Sequence, residues 1–111
     1  MVLDEFVARG WLDERRYAGE FVRTRVARGE GPVRIAAELQ QRGVDPELIA
    51  AELARVEDGW MERLREVWHK RFGGRPPRDN QERARQARFL RYRGFTAEQV
   101  SRVLNGRADE E

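Results

Sequence analysis

The sequence predicts an all-α fold built from tandem three-helix repeat units, and two observations carry that expectation. The first is a stretch that occurs twice. Arg34–Leu53 and Arg85–Leu104, 51 residues apart, align Arg34 with Arg85, Ala36 with Ala87, Leu39 with Leu90 and Arg42-Gly43-Val44 with Arg93-Gly94-Phe95. Each copy reads helix, stop, helix. Gly43 and Gly94 stand where a helix C-terminus takes a residue of positive φ. A polar N-cap follows (Asp45, Thr96), then an apolar pair (Ile49 and Leu53; Val100 and Leu104). The second observation is a longer amphipathic segment before each copy. Tyr17, Phe21 and Arg25 match Trp60, Leu64 and Trp68 at an offset of 43. The eight-residue difference between the offsets is absorbed by a longer loop around 73–80. Duplicated units of this kind stack into short solenoids.

Taken in order, Val2, Leu3, Phe6 and Val7 have i, i+3, i+4 spacing and predict a short amphipathic helix ended near Gly10. Asp13 is the expected N-cap of a helix over 14–28, burying Tyr17, Ala18, Phe21, Val22 and the stem of Arg25. Gly29-Glu-Gly-Pro32 breaks it, and Pro32 suits the first turn of the next helix. Asp45-Pro46 restarts the chain after Gly43. Asp58 is expected to cap a helix with the strongest apolar stripe: Trp60, Met61, Leu64, Val67, Trp68 and Phe72. Gly73-Gly-Arg-Pro-Pro-Arg78 is its exit loop, a helix near 80–93 follows, and Thr96-Ala-Glu-Gln99 has the form of a capping box. The expected organisation is residues 1–10 as the last helix of a truncated first unit, three-helix units at 11–56 and 57–106, and a polar tail at 107–111.

Composition excludes several function classes. Cysteine is absent, so neither a disulfide framework nor a thiolate metal site is available. No apolar run approaches the ~20 residues of a membrane span, and acids interrupt the apolar residues of Met1–Arg9, unlike a signal peptide. A soluble, cytoplasmic protein is expected. His69 is the single histidine and has no nucleophile partnered to it in sequence, Gly29-x-Gly31 lacks the lysine of a phosphate-cradling loop, and no cluster has metal-ligand spacing. The expectation is therefore no catalysis, no metal and no cofactor.

The net charge of +2 hides an uneven distribution. Residues 1–62 carry nine arginines and thirteen acids; residues 63–93 carry ten arginines and Lys70 against Glu66, Asp79 and Glu82, a balance of +8. Twenty-one of the 22 basic residues are arginine, which favours planar hydrogen-bonded contacts to phosphate or carboxylate. On the helix near 80–93, Arg85, Arg88 and Tyr92 share one face, opposite Ala84, Ala87 and Leu90. Arginine interleaved with aromatics suits phosphate contact with base stacking; Phe89 fits that and packing against a neighbouring unit equally. Arg71, Arg75 and Arg78, in or beside the Gly/Pro loop, extend the same surface. Arg16, Arg23 and Arg25 form a second candidate strip, which on its own terms also fits pairing with Asp13 and Glu20.

Arg16-Tyr17-Ala18, Phe21-Val22-Arg23-Thr24-Arg25, Gly31-Pro32 with Arg34-Ile35, Glu38-Leu39 through Gly43, Trp60, Lys70-Arg71-Phe72-Gly73 and Arg88-Phe89-Leu90-Arg91-Tyr92-Arg93-Gly94-Phe95 resemble the RecX family of bacterial recombination regulators. The resemblance runs over nearly the whole chain, and Gly-Pro-x-Arg-Ile-x-x-Glu-Leu is its most specific part. It implies an elongated, curved array and a monomer that lodges in the groove of the RecA–DNA filament. Through it the chain would touch protein and single- or double-stranded DNA and inhibit RecA ATP hydrolysis and strand exchange, in DNA repair and the SOS response. The alternative is a stand-alone helical nucleic-acid-binding module, although no helix start offers a convincing run of base-reading residues.

Overall fold

The computed structural model describes residues 2–56 and 59–106, with the side chains of residues 2–9 and 11 outside that description. Six helices follow one another: α1 (Val2–Ala27), α2 (Pro32–Gln41), α3 (Pro46–Ala54), α4 (Gly59–Phe72), α5 (Asn80–Tyr92) and α6 (Ala97–Leu104). Helices α1, α2 and α3 pack on one another, as do α4, α5 and α6. The molecule measures 63 × 28 × 19 Å, with a radius of gyration of 17.0 Å. A compact chain of this length would have a radius near ~13 Å, so the array is elongated.

The caps form as the residue types dictate. Gly43 and Gly94 adopt φ of +82° and +105°. At each, two backbone bonds close the helix: Val44 N–H donates to the Leu39 carbonyl (3.1 Å) and Gly43 N–H to Gln40 (3.0 Å), while Phe95 donates to Leu90 (3.3 Å) and Gly94 to Arg91 (3.0 Å). Val44 and Phe95 then fold back and are buried. The Asp45 carboxylate accepts from Glu47 N–H at 2.8 Å, and Thr96 and Gln99 make a complete capping box. The stripe of α4 is buried as its period predicts: Trp60, Leu64 and Trp68 lie in the core. Trp60 Nε1 donates to the Leu53 carbonyl at 3.1 Å, which ties the start of α4 to the end of α3. Trp68 Nε1 donates to Gln86 Oε1 at 2.9 Å, and Gln86 Nε2 to the Arg75 carbonyl at 3.2 Å, so one buried amide joins α4, α5 and the loop between them.

Two expectations are corrected. The helix does not break at Gly10: α1 is one helix of 26 residues, Gly10 is not among the glycines with positive φ, and Asp13 sits in the helix interior rather than at an N-cap. An interior glycine costs only ~1 kcal/mol, whereas ending and renucleating a helix forfeits several backbone bonds. The boundary expected between residues 10 and 11 therefore lies inside a continuous rod. The buried stripe of α1 is also narrower than expected. Ala18 and Val22 are in the core, Phe21 and Arg25 are half-buried, and Tyr17 is 42% exposed, its hydroxyl accepting from Arg42. Burial thus pairs Ala18 with Trp60 and Val22 with Leu64, an offset of 42 rather than 43. The expected Asp58 cap and the 107–111 tail lie outside the described residues.

Candidate interaction surface

The two units meet through their turns. Gly31 is the N-cap of α2 and has no side chain with which to cap it. Its N–H instead donates to the Arg93 carbonyl (2.8 Å), and Val33 N–H donates to the Gly94 carbonyl (2.8 Å). The carbonyl-rich end of α5 thus satisfies the free N–H groups at the start of α2, and the two helix dipoles meet head to tail. In return, the Arg93 guanidinium donates to the Arg28 and Gly29 carbonyls at the end of α1. A cation closing a helix C-terminus is favourable on both counts. The approach is close enough that a Cβ on Gly31 would stand 2.4 Å from the Gly94 carbonyl carbon, and one on Gly94 would stand 2.4 Å from Arg34 Cβ.

That junction places Arg34, from the first unit, over Tyr92 of the second, with its Cζ 5.4 Å from the ring centroid. The buried Glu30 carboxylate holds Arg34 Nε from below at 3.7 Å. Tyr92 is 73% exposed, the most open large apolar side chain among the described residues. Arg85 and Arg88 lie on the same face of α5, exposed and without a side-chain hydrogen bond or ion pair to any described residue. The result is a ledge of arginine, tyrosine and arginine that crosses from one unit to the other.

The remaining sequence-predicted residues divide between surface and scaffold. Arg71 places its guanidinium 5.6 Å from the Phe72 ring centroid and 5.2 Å from that of Phe89, and those two rings pack edge to face at 5.6 Å. Phe89 therefore packs within its own unit, between α4 and α5. Arg75 is exposed and anchored by its backbone carbonyl to Gln86, and Arg78 is exposed beside Glu82 at 3.9 Å. Arg16 and Arg23 are exposed on α1 and make no hydrogen bond or ion pair with the α5 residues. Arg25 is turned inward. Its guanidinium meets Glu38 at 2.7 Å and Glu30 at 3.6 Å and lies over the Phe21 ring, so it braces α1 against α2. Among the described residues no group of three or more His, Cys, Asp or Glu could hold a metal ion, and no helix is long and apolar enough to cross a membrane.

Comparison with known proteins matches the two units one by one. Residues 13–53 fit the family model of RecX, second three-helix domain, and residues 57–104 that of RecX, third three-helix domain. The chain belongs to the RecX family. It is 50% identical to the regulatory protein RecX of Halorhodospira halophila over 110 residues, covering 99% of this chain and 68% of the relative. It is 47% identical to the regulatory protein RecX of Pseudomonas entomophila over 105 residues, covering 95% and 68%. Membership makes the chain a RecX-type regulator rather than an enzyme.

Two features of this RecX-family chain escaped the sequence reading. Arg34 and Arg93 both stand in the repeat alignment and the family resemblance, but local spacing gives neither its contact, because their partners lie about sixty residues away. The repeat alignment carried a faint signal for both: Arg34 aligns with Arg85 of the ledge, and Arg93 with Arg42. Arg42 turns to Tyr17 and Phe21 within its own unit, whereas Arg93 reaches across to the other.

Proposed function

We propose that this chain regulates homologous recombination and DNA repair in the bacterial cytoplasm by binding along the groove of the RecA–DNA filament and hindering ATP hydrolysis and strand exchange. The observation that carries the reading is the ledge of Arg34, Tyr92, Arg88 and Arg85, with Arg75 and Arg78 exposed in the loop before α5. It is cationic and aromatic, and it spans both units across a junction built from backbone bonds. A rigid bar that presents positive charge along its length is suited to a repeating polyanionic or acidic track, where it meets several subunits at once. Arg16 and Arg23 supply a second cationic strip on α1, and Arg25 contributes as a brace rather than as a contact. No chemistry is required of the chain, since occupation of the groove is itself the inhibition.

The test compares binding of the monomeric protein to assembled RecA–DNA filaments and to the same DNA without RecA, across a range of salt. The reading expects a clear preference for filaments and a loss of affinity with salt of roughly −0.7 log units per single-strand phosphate contacted. Equal affinity for bare DNA and filament would point to the stand-alone nucleic-acid-binding module instead.

A further inference from the structure

At the end of α1 the chain puts a carboxylate where it elsewhere puts an apolar side chain. Helices α1, α2 and α5 close with the same pair of backbone bonds around a glycine of positive φ. After α2 and α5 the residue following that glycine is Val44 or Phe95, and each is buried. After α1 the glycine is Gly29, at φ +84°. Gly29 N–H donates to the Val26 carbonyl (2.9 Å) and Glu30 N–H to the Arg25 carbonyl (3.1 Å). Glu30 therefore holds the position that folds back on the helix and ordinarily makes a hydrophobic contact there. It is 7% exposed, and its Oε1 accepts no hydrogen bond from a described residue. A buried carboxylate costs stability unless it is paired. Its partners are Arg25 Nη1 at 3.6 Å and Arg34 Nε at 3.7 Å, ion pairs longer than hydrogen bonds.

We infer that Glu30 is the positioning residue of the ledge: paired with Arg34 from beneath, it fixes that guanidinium over Tyr92 without itself reaching a partner. The two arginines do not need Glu30 equally. Arg25 keeps Glu38 at 2.7 Å whatever Glu30 does. Arg34 makes no other ion pair with a described residue, and its side chain is 41% exposed. A long arginine side chain half in water samples many rotamers. A buried counter-charge one turn before it removes that freedom before any partner arrives, and contacts fixed in advance bind more tightly. Glu30 also balances the charge of Arg34, so the ledge has a fixed guanidinium–phenol pair at the unit boundary rather than one more mobile cation. Arg85, the repeat counterpart of Arg34, has Gln81 four residues before it in place of a carboxylate. The consequence for binding rests on the ledge being the filament contact; the placement of Arg34 does not.

Glu30→Met tests it, because it sets charge, stability and positioning against one another. An apolar residue suits this place in the turn, and an apolar side chain in place of a buried ion pair is often neutral or stabilising. The melting temperature should therefore be unchanged or higher. Glu30→Gln, of nearly the same shape, is the second variant should methionine pack poorly. Each raises the net charge by one, so attraction to an anionic track alone would tighten filament binding. Positioning predicts the opposite: a folded variant that binds RecA–DNA filaments roughly two- to fivefold more weakly, the size of an exposed cation–π contact. Arg34→Met should weaken binding as much as Glu30→Met, and the two together no more than either alone. In the free, nitrogen-15-labelled chain the Arg34 Nε–Hε resonance should be displaced by the Tyr92 ring. It should move to the position of a solvated arginine in both Glu30 variants and in Tyr92→Leu. An Arg34 resonance that ignores the Glu30 substitutions would overturn the placement, whatever the filament shows. A resonance that moves in variants binding filaments as tightly as wild type, or more tightly, would overturn the role in binding. If wild type shows no preference for filaments, the ledge reading fails by itself, and the resonance still decides the placement of Arg34.

Discussion

Replacing Gly31 by alanine isolates the contact between the two units. Gly31 has φ −92° and ψ 172°, a conformation any residue adopts. Away from its neighbours, the substitution would therefore stabilise by ~0.4–1 kcal/mol, through a less flexible unfolded chain. In the folded protein the new Cβ would lie 2.4 Å from the Gly94 carbonyl carbon and 2.5 Å from both its oxygen and the Phe95 nitrogen, all of them backbone atoms. Ordinary carbon contacts are ~3.5–4.0 Å, so the turns must part by about 1 Å. That motion stretches the bonds from Gly31 to Arg93 and from Val33 to Gly94, both now 2.8 Å. At ~0.5–1.5 kcal/mol for each bond, with the Arg93 contacts to α1 loosened as well, the expected net loss is about 2–3 kcal/mol. Gly43→Ala is the matched control. Its φ is +82° but a Cβ there meets nothing within 4 Å, so it should cost only the left-handed strain of ~1–2 kcal/mol. Urea denaturation followed by circular dichroism, with small-angle scattering against the 17.0 Å radius of gyration, reads both variants. Gly31→Ala should be the more destabilised of the two and the only one whose scattering changes. A Gly31→Ala protein as stable as wild type would refute the junction.

Leu64→Ala should cost ~2–4 kcal/mol, because Leu64 is fully buried in the centre of α4 and truncation leaves a cavity; a loss below ~1 kcal/mol in urea melts would contradict that packing. Gln86→Leu removes the acceptor for Trp68 Nε1 and the donor to the Arg75 carbonyl while keeping similar volume. It should cost ~1–3 kcal/mol and alter Trp68 fluorescence, and unchanged stability and emission would show the amide bridge to be dispensable.

Local signals were legible and distant ones were not. Gly43, Gly94, Asp45 and Thr96 announce their caps because each acts on backbone within five residues of itself, and the α4 stripe is readable because three large side chains recur at helical spacing. Gly10 misled for a physical reason: a glycine ends a helix only if the chain turns after it, and nothing local to Gly10 forces that turn. Tyr17 misled because the neighbouring Ala18, small and silent in an apolar pattern, takes the core position. The same limit applies to the site. Arg85, Arg88 and Tyr92 share a helix, so their common face follows from spacing alone. Arg34 joins them only through the Gly31–Gly94 contact, and Arg25 leaves the candidate surface only because Glu38, thirteen residues on, claims it. In a sequence where arginine is nearly the sole cation, residue type alone cannot separate a brace from a contact.

The most direct measurement of the central claim is inhibition of RecA by the Arg85→Glu/Arg88→Glu variant. Both side chains are exposed on a helix whose core face is Gln86 and Leu90, so helicity should be unchanged. The account predicts a folded protein that no longer binds RecA–DNA filaments and no longer slows ATP hydrolysis or strand exchange. A folded double variant that inhibits as well as wild type would contradict it and move the contact to the Arg16 and Arg23 strip of α1.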